Sequence, residues 1–218
     1  METATTAGRA CLMAVLVVVT AVTVSSLCAA AGGVESPAGR NCTEFIRQSC
    51  SATRYPSLCY SSLAGYAGAV GEDPTQIAHF AANNSLAQVS SLSYHVLLLY
   101  RAAAAAGVDP RIAAALGDCA ESLGDAAELT RQAAAELGLL AKAEGPELAW
   151  HVSNAQTWMS AALTNEDTCT DGFAATAAAA TAGGDVFMKA DVARHVRRAR
   201  RYTSIALALV NSLVGVAR

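Results

Sequence analysis

Cys50-Ser-Ala-Thr-Arg-Tyr-Pro-Ser-Leu-Cys59, read together with Trp158-Met-Ser-Ala-Ala-Leu-Thr-Asn-Glu-Asp-Thr-Cys-Thr-Asp-Gly-Phe173, decides how this chain folds. In the first stretch Pro56 discourages a helix from running straight through, because its ring removes an amide donor and restricts the residue before it. Two short arms folded back on each other, a helical hairpin, bring Cys50 and Cys59 close. The second stretch carries Cys169 on the helical stripe of Trp158, Ala162 and Asn165, while Cys119 sits on an apolar stripe farther upstream. Two such thiols can meet between neighbouring helices, although spacing alone does not prove the bond.

Outward from these stretches the apolar spacing stays helical. Val89, Leu92, Val96 and Leu99 make one stripe, and Cys119, Leu123, Ala126, Thr130, Ala133 and Leu137 make another. Val192, Val196, Ala199, Thr203, Ala206, Val210 and Leu213 step by four and three, and no period-two alternation competes. Asp73-Pro74, Asp109-Pro110, Gly145-Pro146 and Gly183-Gly184-Asp185 open the long segments, since Asp or Gly at the cap and Pro at the first helical position leave the orphan amides satisfied or absent. The expected architecture is all-α, an up-down-up-down four-helix bundle over residues 73–214 preceded by a disulfide-tied helical hairpin over residues 41–68. The alanine-rich stretch 174–182 reads as a short helix and then a loop.

The N-terminus reads as a secretory signal over residues 1–31. An uncharged apolar run follows Arg9, ends at Ala29-Ala30-Ala31, and has no basic stop-transfer cluster behind it. Residues 32–40, with Pro37 and several glycines, read as a flexible tail. A mature chain of about 187 residues suits one domain, residues 41–214. A net charge of -3 offers no basic excess for tracking phosphates, which argues against nucleic acid, and after signal removal no membrane span is expected. Cys11 and Cys28 leave with the signal; in an exported chain the remaining cysteines should be largely paired, with Cys42 left over as an intermolecular link or, in preference, a free, partly shielded thiol. Asn41-Cys42-Thr43 and Asn83-Asn84-Ser85 are glycosylation sequons, making Asn41 and Asn83 candidate sites.

Catalytic chemistry is missing from the pattern. His79, His95, His151 and His195 lie on separate helical segments without HExxH or zinc-type Cys/His spacing, so no metal, cofactor or catalytic residue is expected. Trp150 and Trp158 read as buried anchors between helices in preference to a sugar-stacking platform. Asp118, Glu121, Asp125 and Glu128 share one face of a helix, which is either a solvated face or a recognition face for an enzyme cleft. Arg194, Arg197, Arg198 and Arg201 form a basic row that pairs with acids of a neighbouring helix, is solvated, or touches an acidic polysaccharide or partner.

Over residues 41–214 the chain resembles the plant pectin methylesterase inhibitor and invertase inhibitor family. The resemblance rests on Cys50, Thr53, Tyr55, Pro56 and Cys59, on the acid-bearing run 119–129, on the block 158–173, and on Thr203-Ser-Ile-Ala-Leu-Ala-Leu209. It implies bridges Cys50–Cys59 and Cys119–Cys169, which in a chain-entropy model contribute about 2.5 and about 4 kcal/mol. It also implies a secreted cell-wall (apoplast) protein that is not an enzyme, monomeric until it occludes the pectin cleft of plant pectin methylesterase in a one-to-one complex. Glu121, Asp125, Thr168 and Asp171 are the enzyme-binding positions the resemblance points to. Trp-x-Ser-Ala-Ala-Leu-Thr and Thr-Cys-x-Asp-Gly-Phe look like the pectin methylesterase branch, and the Pro-Lys-Phe triplet linked with invertase binding is absent. Inhibition of cell-wall or vacuolar acid invertase is the alternative, and a secreted adaptor or lipid-carrying helical protein is the competitor from a different class. The chain ends at Arg218 soon after its last helix, as expected of a stand-alone inhibitor rather than a pro-region.

Overall fold

The computed structural model describes residues 37–174 and 183–215, and all the regular structure in them is helical. The readings of a signal peptide and of a helix and loop after Ala174 fall outside those residues. α1 (Pro37–Ser51) begins inside the stretch read as a tail, and α2 (Pro56–Leu63) returns alongside it. After a 3-10 turn, the short α3 (Ala67–Val70) leads to the long helices α4 (Pro74–Ala106), α5 (Pro110–Leu139), α6 (Gly145–Ala174) and α7 (Gly183–Ser212). Each long helix packs on two of the others, α4 on α5 and α7, and α6 on α5 and α7. That closed ring is the up-down-up-down bundle.

The helix boundaries follow from local chemistry. Asp73 Oδ1 accepts from Thr75 N at 2.7 Å and from Gln76 N at 3.4 Å, with Pro74 as the first helical residue of α4. Asp109 Oδ1 caps α5 through Arg111 N at 2.8 Å, again ahead of a proline. Between these two helices Gly107 takes φ +65, a left-handed value that any side chain would strain. In the hairpin, Tyr55 stands at the start of α2, with Pro56 inside its first turn. The buried Thr53 donates both its amide, at 3.0 Å, and its hydroxyl, at 2.8 Å, to Cys50 O, closing the end of α1.

Cys50 and Cys59 are bridged across the hairpin with Cα atoms 5.5 Å apart, and Cys119 and Cys169 are bridged between α5 and α6 with Cα atoms 4.0 Å apart. Cys42 departs from expectation. It is 2% exposed and disulfide-bonded, not a free thiol, and its partner is none of the other described cysteines. An odd number of cysteines does not say which one is left over, and the burial of Cys42 on α1 suits a disulfide sulfur.

The core has two apolar clusters. One joins the hairpin to the bundle through Ile46, Leu63, Ile77, Leu137, Met159 and Leu213; the other holds Val89, Val96, Ile112, Leu116, Leu123 and Val196 around the Cys119–Cys169 bridge. On α4, α5 and α7 the changeover between the clusters is marked by the buried polar residues Ser85, Thr130 and Thr203. Among the described residues no helix is long and apolar enough to cross a membrane.

Candidate functional site

The Cys119–Cys169 bridge locks α5 and α6 at one level. Those helices run antiparallel, so residues near each bridge half lie at nearly the same height. Glu121 is two residues from Cys119, while Thr168 and Asp171 are one and two residues from Cys169, so all three fall within about 3 Å of the bridge along the bundle axis. Asp125 lies about 9 Å along α5 from Cys119 by the same rise. The bridge therefore brings Glu121, Thr168 and Asp171 into one band and leaves Asp125 a turn and a half away.

All four are exposed, and so are Asp118 and Glu128. Asp118, Glu121, Asp125 and Asp171 have no side-chain partner among the described residues. Glu128 differs. It takes a hydrogen bond from Arg131 Nε at 2.8 Å and one from Gln132 Nε2 at 3.0 Å, and these bonds, Arg131 first, hold its carboxyl down at about 2. The row read from spacing thus divides into three uncommitted acids and one neutralised by its own helix. Thr168 donates its hydroxyl to Thr164 O at 3.0 Å, so its oxygen lone pairs remain open to an outside donor.

Other sequence candidates are scattered or rearranged. Trp158 packs against the hairpin-side core, but Trp150 is 66% exposed, which corrects its reading as a buried anchor. Position 150 falls off the apolar stripe of Val152, Ala155 and Met159, a distinction blurred by the eight-residue spacing of the two tryptophans. Among the described residues the basic row pairs with no acid of a neighbouring helix: Arg194 binds Asp191 on its own helix, and the pair from α7 to α6 is Arg200 Nη2 to Asp167 Oδ2 at 2.9 Å. His95 and His195, far apart in sequence, converge on Asp191, with His95 Nε2 2.9 Å from Asp191 Oδ2 and His195 Nδ1 3.4 Å from Asp191 Oδ1. His95 first, then Arg194, holds that carboxyl below its usual range against the opposing effect of partial burial. His151 joins Glu136 across α5 and α6 at 2.6 Å. Asn41 and Asn83 are both exposed, and Asn83 Nδ2 donates to His79 O at 3.0 Å.

The sequence profile of the family described as plant invertase/pectin methylesterase inhibitor matches residues 44–209, a span that contains most of the hairpin, both described bridges and every uncommitted acid named above. The chain belongs to that inhibitor family. Pectinesterase inhibitor 11 of Arabidopsis thaliana is 38% identical over 169 residues, covering 77% of this chain and 79% of that protein. The 21 kDa protein of Daucus carota is 36% identical over 169 residues, with 78% and 83% covered. The crystal structure of a mutant form of a pectin methylesterase inhibitor from Arabidopsis superposes with a TM-score of 0.53 over 74% of this chain and 92% of that one. At 19% identity the likeness is one of fold.

This member of the inhibitor family also carries a buried polar network that spacing did not single out. Glu166 on α6 is fully buried; Thr203 on α7 donates to its Oε1 at 2.6 Å, and Ser85 Oγ on α4 lies 2.9 Å from Thr203 Oγ1. Glu166 Oε2 has no hydrogen-bond partner among the described residues. Loss of hydration raises the Glu166 carboxyl to about 7, outweighing the Thr203 hydrogen bond and the nearby Arg200 charge. The available signal was a lone acid one helical turn from Ala162 and Cys169, both core positions, which places its side chain inward.

Proposed function

We propose that this protein is secreted to the plant cell wall and inhibits pectin methylesterase by occluding the pectin-binding cleft in a one-to-one complex, without catalysing any reaction itself. The observation that carries the reading is the α5–α6 pair: two helices riveted by the Cys119–Cys169 bridge, with uncommitted carboxylates and a threonine exposed beside it. A rigid surface loses little conformational freedom on docking, so its charges act on orientation and encounter rate instead of being spent on ordering the inhibitor. Glu121, Asp125, Thr168 and Asp171 are the enzyme-facing residues in this reading. Identity to pectinesterase inhibitor 11 across most of both chains supports the esterase as the target. Asn41 and Asn83 lie exposed and have room for glycans.

Titrating purified protein against plant pectin methylesterase and against acid invertase tests the proposal. Demethylation falling to a plateau at equimolar inhibitor, with sucrose cleavage unchanged, is the expected result. Loss of invertase activity alone moves the assignment to the other target named in the family description, and no effect on either enzyme rejects the inhibitor reading. Glu121→Ala with Asp125→Ala should weaken inhibition by about tenfold or more while leaving the helical signal intact. Unchanged affinity would make those acids a merely solvated face.

A further inference from the structure

Away from the acidic α5–α6 face, the hairpin, α6 and α7 border a cleft of about 320 Å³ lined by Arg54, Tyr55, Leu163, Arg197, Arg200, Arg201 and Ser204. Only two of its arginines belong to the basic row seen in the sequence; Arg54 arrives from the Cys50–Cys59 hairpin and Arg200 from the inner side of α7. The guanidiniums of Arg54 and Arg201 lie 5.8 and 5.7 Å from the Tyr55 ring centroid. Asp167 engages Arg200, and no other acid pairs with these arginines among the described residues. Beside them, Glu166 has its carboxyl raised by burial and so adds little negative charge under acidic conditions.

Several cations gathered around one concavity with a single acid between them favour an anion. A guanidinium fork matches a carboxylate with two parallel hydrogen bonds. The rest of the lining narrows the choice. A bare oxyanion uses only the cations, whereas the Tyr55 ring and the Leu163 side chain offer apolar surface to the C–H face of a ring, and Ser204 offers a hydroxyl. The volume suits one or two small rings. We propose that this cleft binds a uronate, the carboxylated sugar of an acidic oligosaccharide, with its carboxylate on Arg197 and Arg201 and its ring against Tyr55 and Leu163. The site is separate from the acidic α5–α6 face, and nothing in its chemistry requires the esterase.

Calorimetric titration of the full chain, with no enzyme present, tests this with a short de-esterified oligogalacturonide, its methyl ester and inorganic phosphate at matched ionic strength. The de-esterified sugar should bind with an affinity that falls as salt rises, and the methyl ester should bind about tenfold or more weakly. Arg197→Gln with Arg201→Gln should weaken the sugar by a similar factor at an unchanged thermal midpoint. Arg194→Gln with Arg198→Gln, which removes equal charge from the same helix outside the cleft, should leave binding as it was. Phosphate binding as tightly as the sugar, or both double variants losing affinity alike, would overturn the assignment in favour of a diffuse basic surface. Because no esterase takes part, the outcome stands apart from that of the inhibition assay.

Discussion

Replacing Glu166 by glutamine should make the protein more stable at neutral pH and little different at acidic pH. The carboxyl titrates near 7 in the folded chain against an ordinary value of 4.5, a difference caused first by loss of hydration. Because the folded-state value is the higher one, the native state holds the proton more tightly than the unfolded chain. That contribution is fully present below about pH 4.5 and is lost as the pH rises through about 7. At 1.36 kcal/mol per unit the window is worth roughly 3 kcal/mol, a large share of a typical folding free energy. Glutamine keeps an oxygen to accept from Thr203 but cannot ionise. Chemical denaturation followed by helical circular dichroism at several pH values between 4.5 and 8 gives the difference between variant and wild type. That difference should grow by roughly 3 kcal/mol in favour of the variant across the window. His79, whose imidazole burial holds below its usual value, makes the folded state lose stability as pH falls, in both proteins alike, so the difference cancels it. A difference that stays flat, or that shrinks with rising pH, would show that Glu166 is ionised and hydrated in the folded state, and the buried network described above would be wrong.

Further outcomes follow from single features. Cys119→Ser with Cys169→Ser should lower stability by about 4 kcal/mol in denaturant unfolding, because the bridge closes a loop with a sequence separation of 50; reduction of wild type should match it in direction. Asp73→Ala should cost about 1 kcal/mol in the same assay, since the Thr75 and Gln76 amides lose their cap. Gly124→Ala should gain about 0.5–1 kcal/mol, because this glycine is inside α5, exposed, and a Cβ there would meet nothing closer than Ser93 Oγ at 4.0 Å. A lowered thermal midpoint for that variant would refute the open space assigned to the position.

The bundle was legible because its signals are local and repeated. Asp-Pro pairs mark two helix starts through one carboxylate and one missing amide, and apolar residues stepping by three and four identify the buried faces without any knowledge of the partner helix. The exposed acids were legible for the same reason, since a row on one helix needs only the helical period. What escaped depends on contacts between distant parts of the chain. Asp191 becomes the meeting point of two histidines only because α7 packs on α4, and Arg54 joins Arg197 and Arg201 only because the hairpin folds against α7. No window of sequence contains either neighbourhood.

Glu166 shows the limit more sharply, because its position was readable and its state was not. One turn from Ala162 and three residues before Cys169, it had to face the core, yet a core glutamate has several outcomes: a buried ion pair, a reach to the surface, or a neutral acid. Arg200, whose charge acts on Glu166, offers the first. It bonds Asp167 instead, leaving its own Nε and Glu166 Oε2 unpartnered, while the Thr203 hydroxyl takes the other carboxyl oxygen. One hydroxyl from the next helix cannot replace the water a carboxylate gives up, so the proton stays on until about pH 7. The choice among the three outcomes was made by which of two adjacent acids, 166 or 167, the arginine met. That depends on the rotation of α7 about its axis, a property of the assembled bundle that neither helix specifies alone.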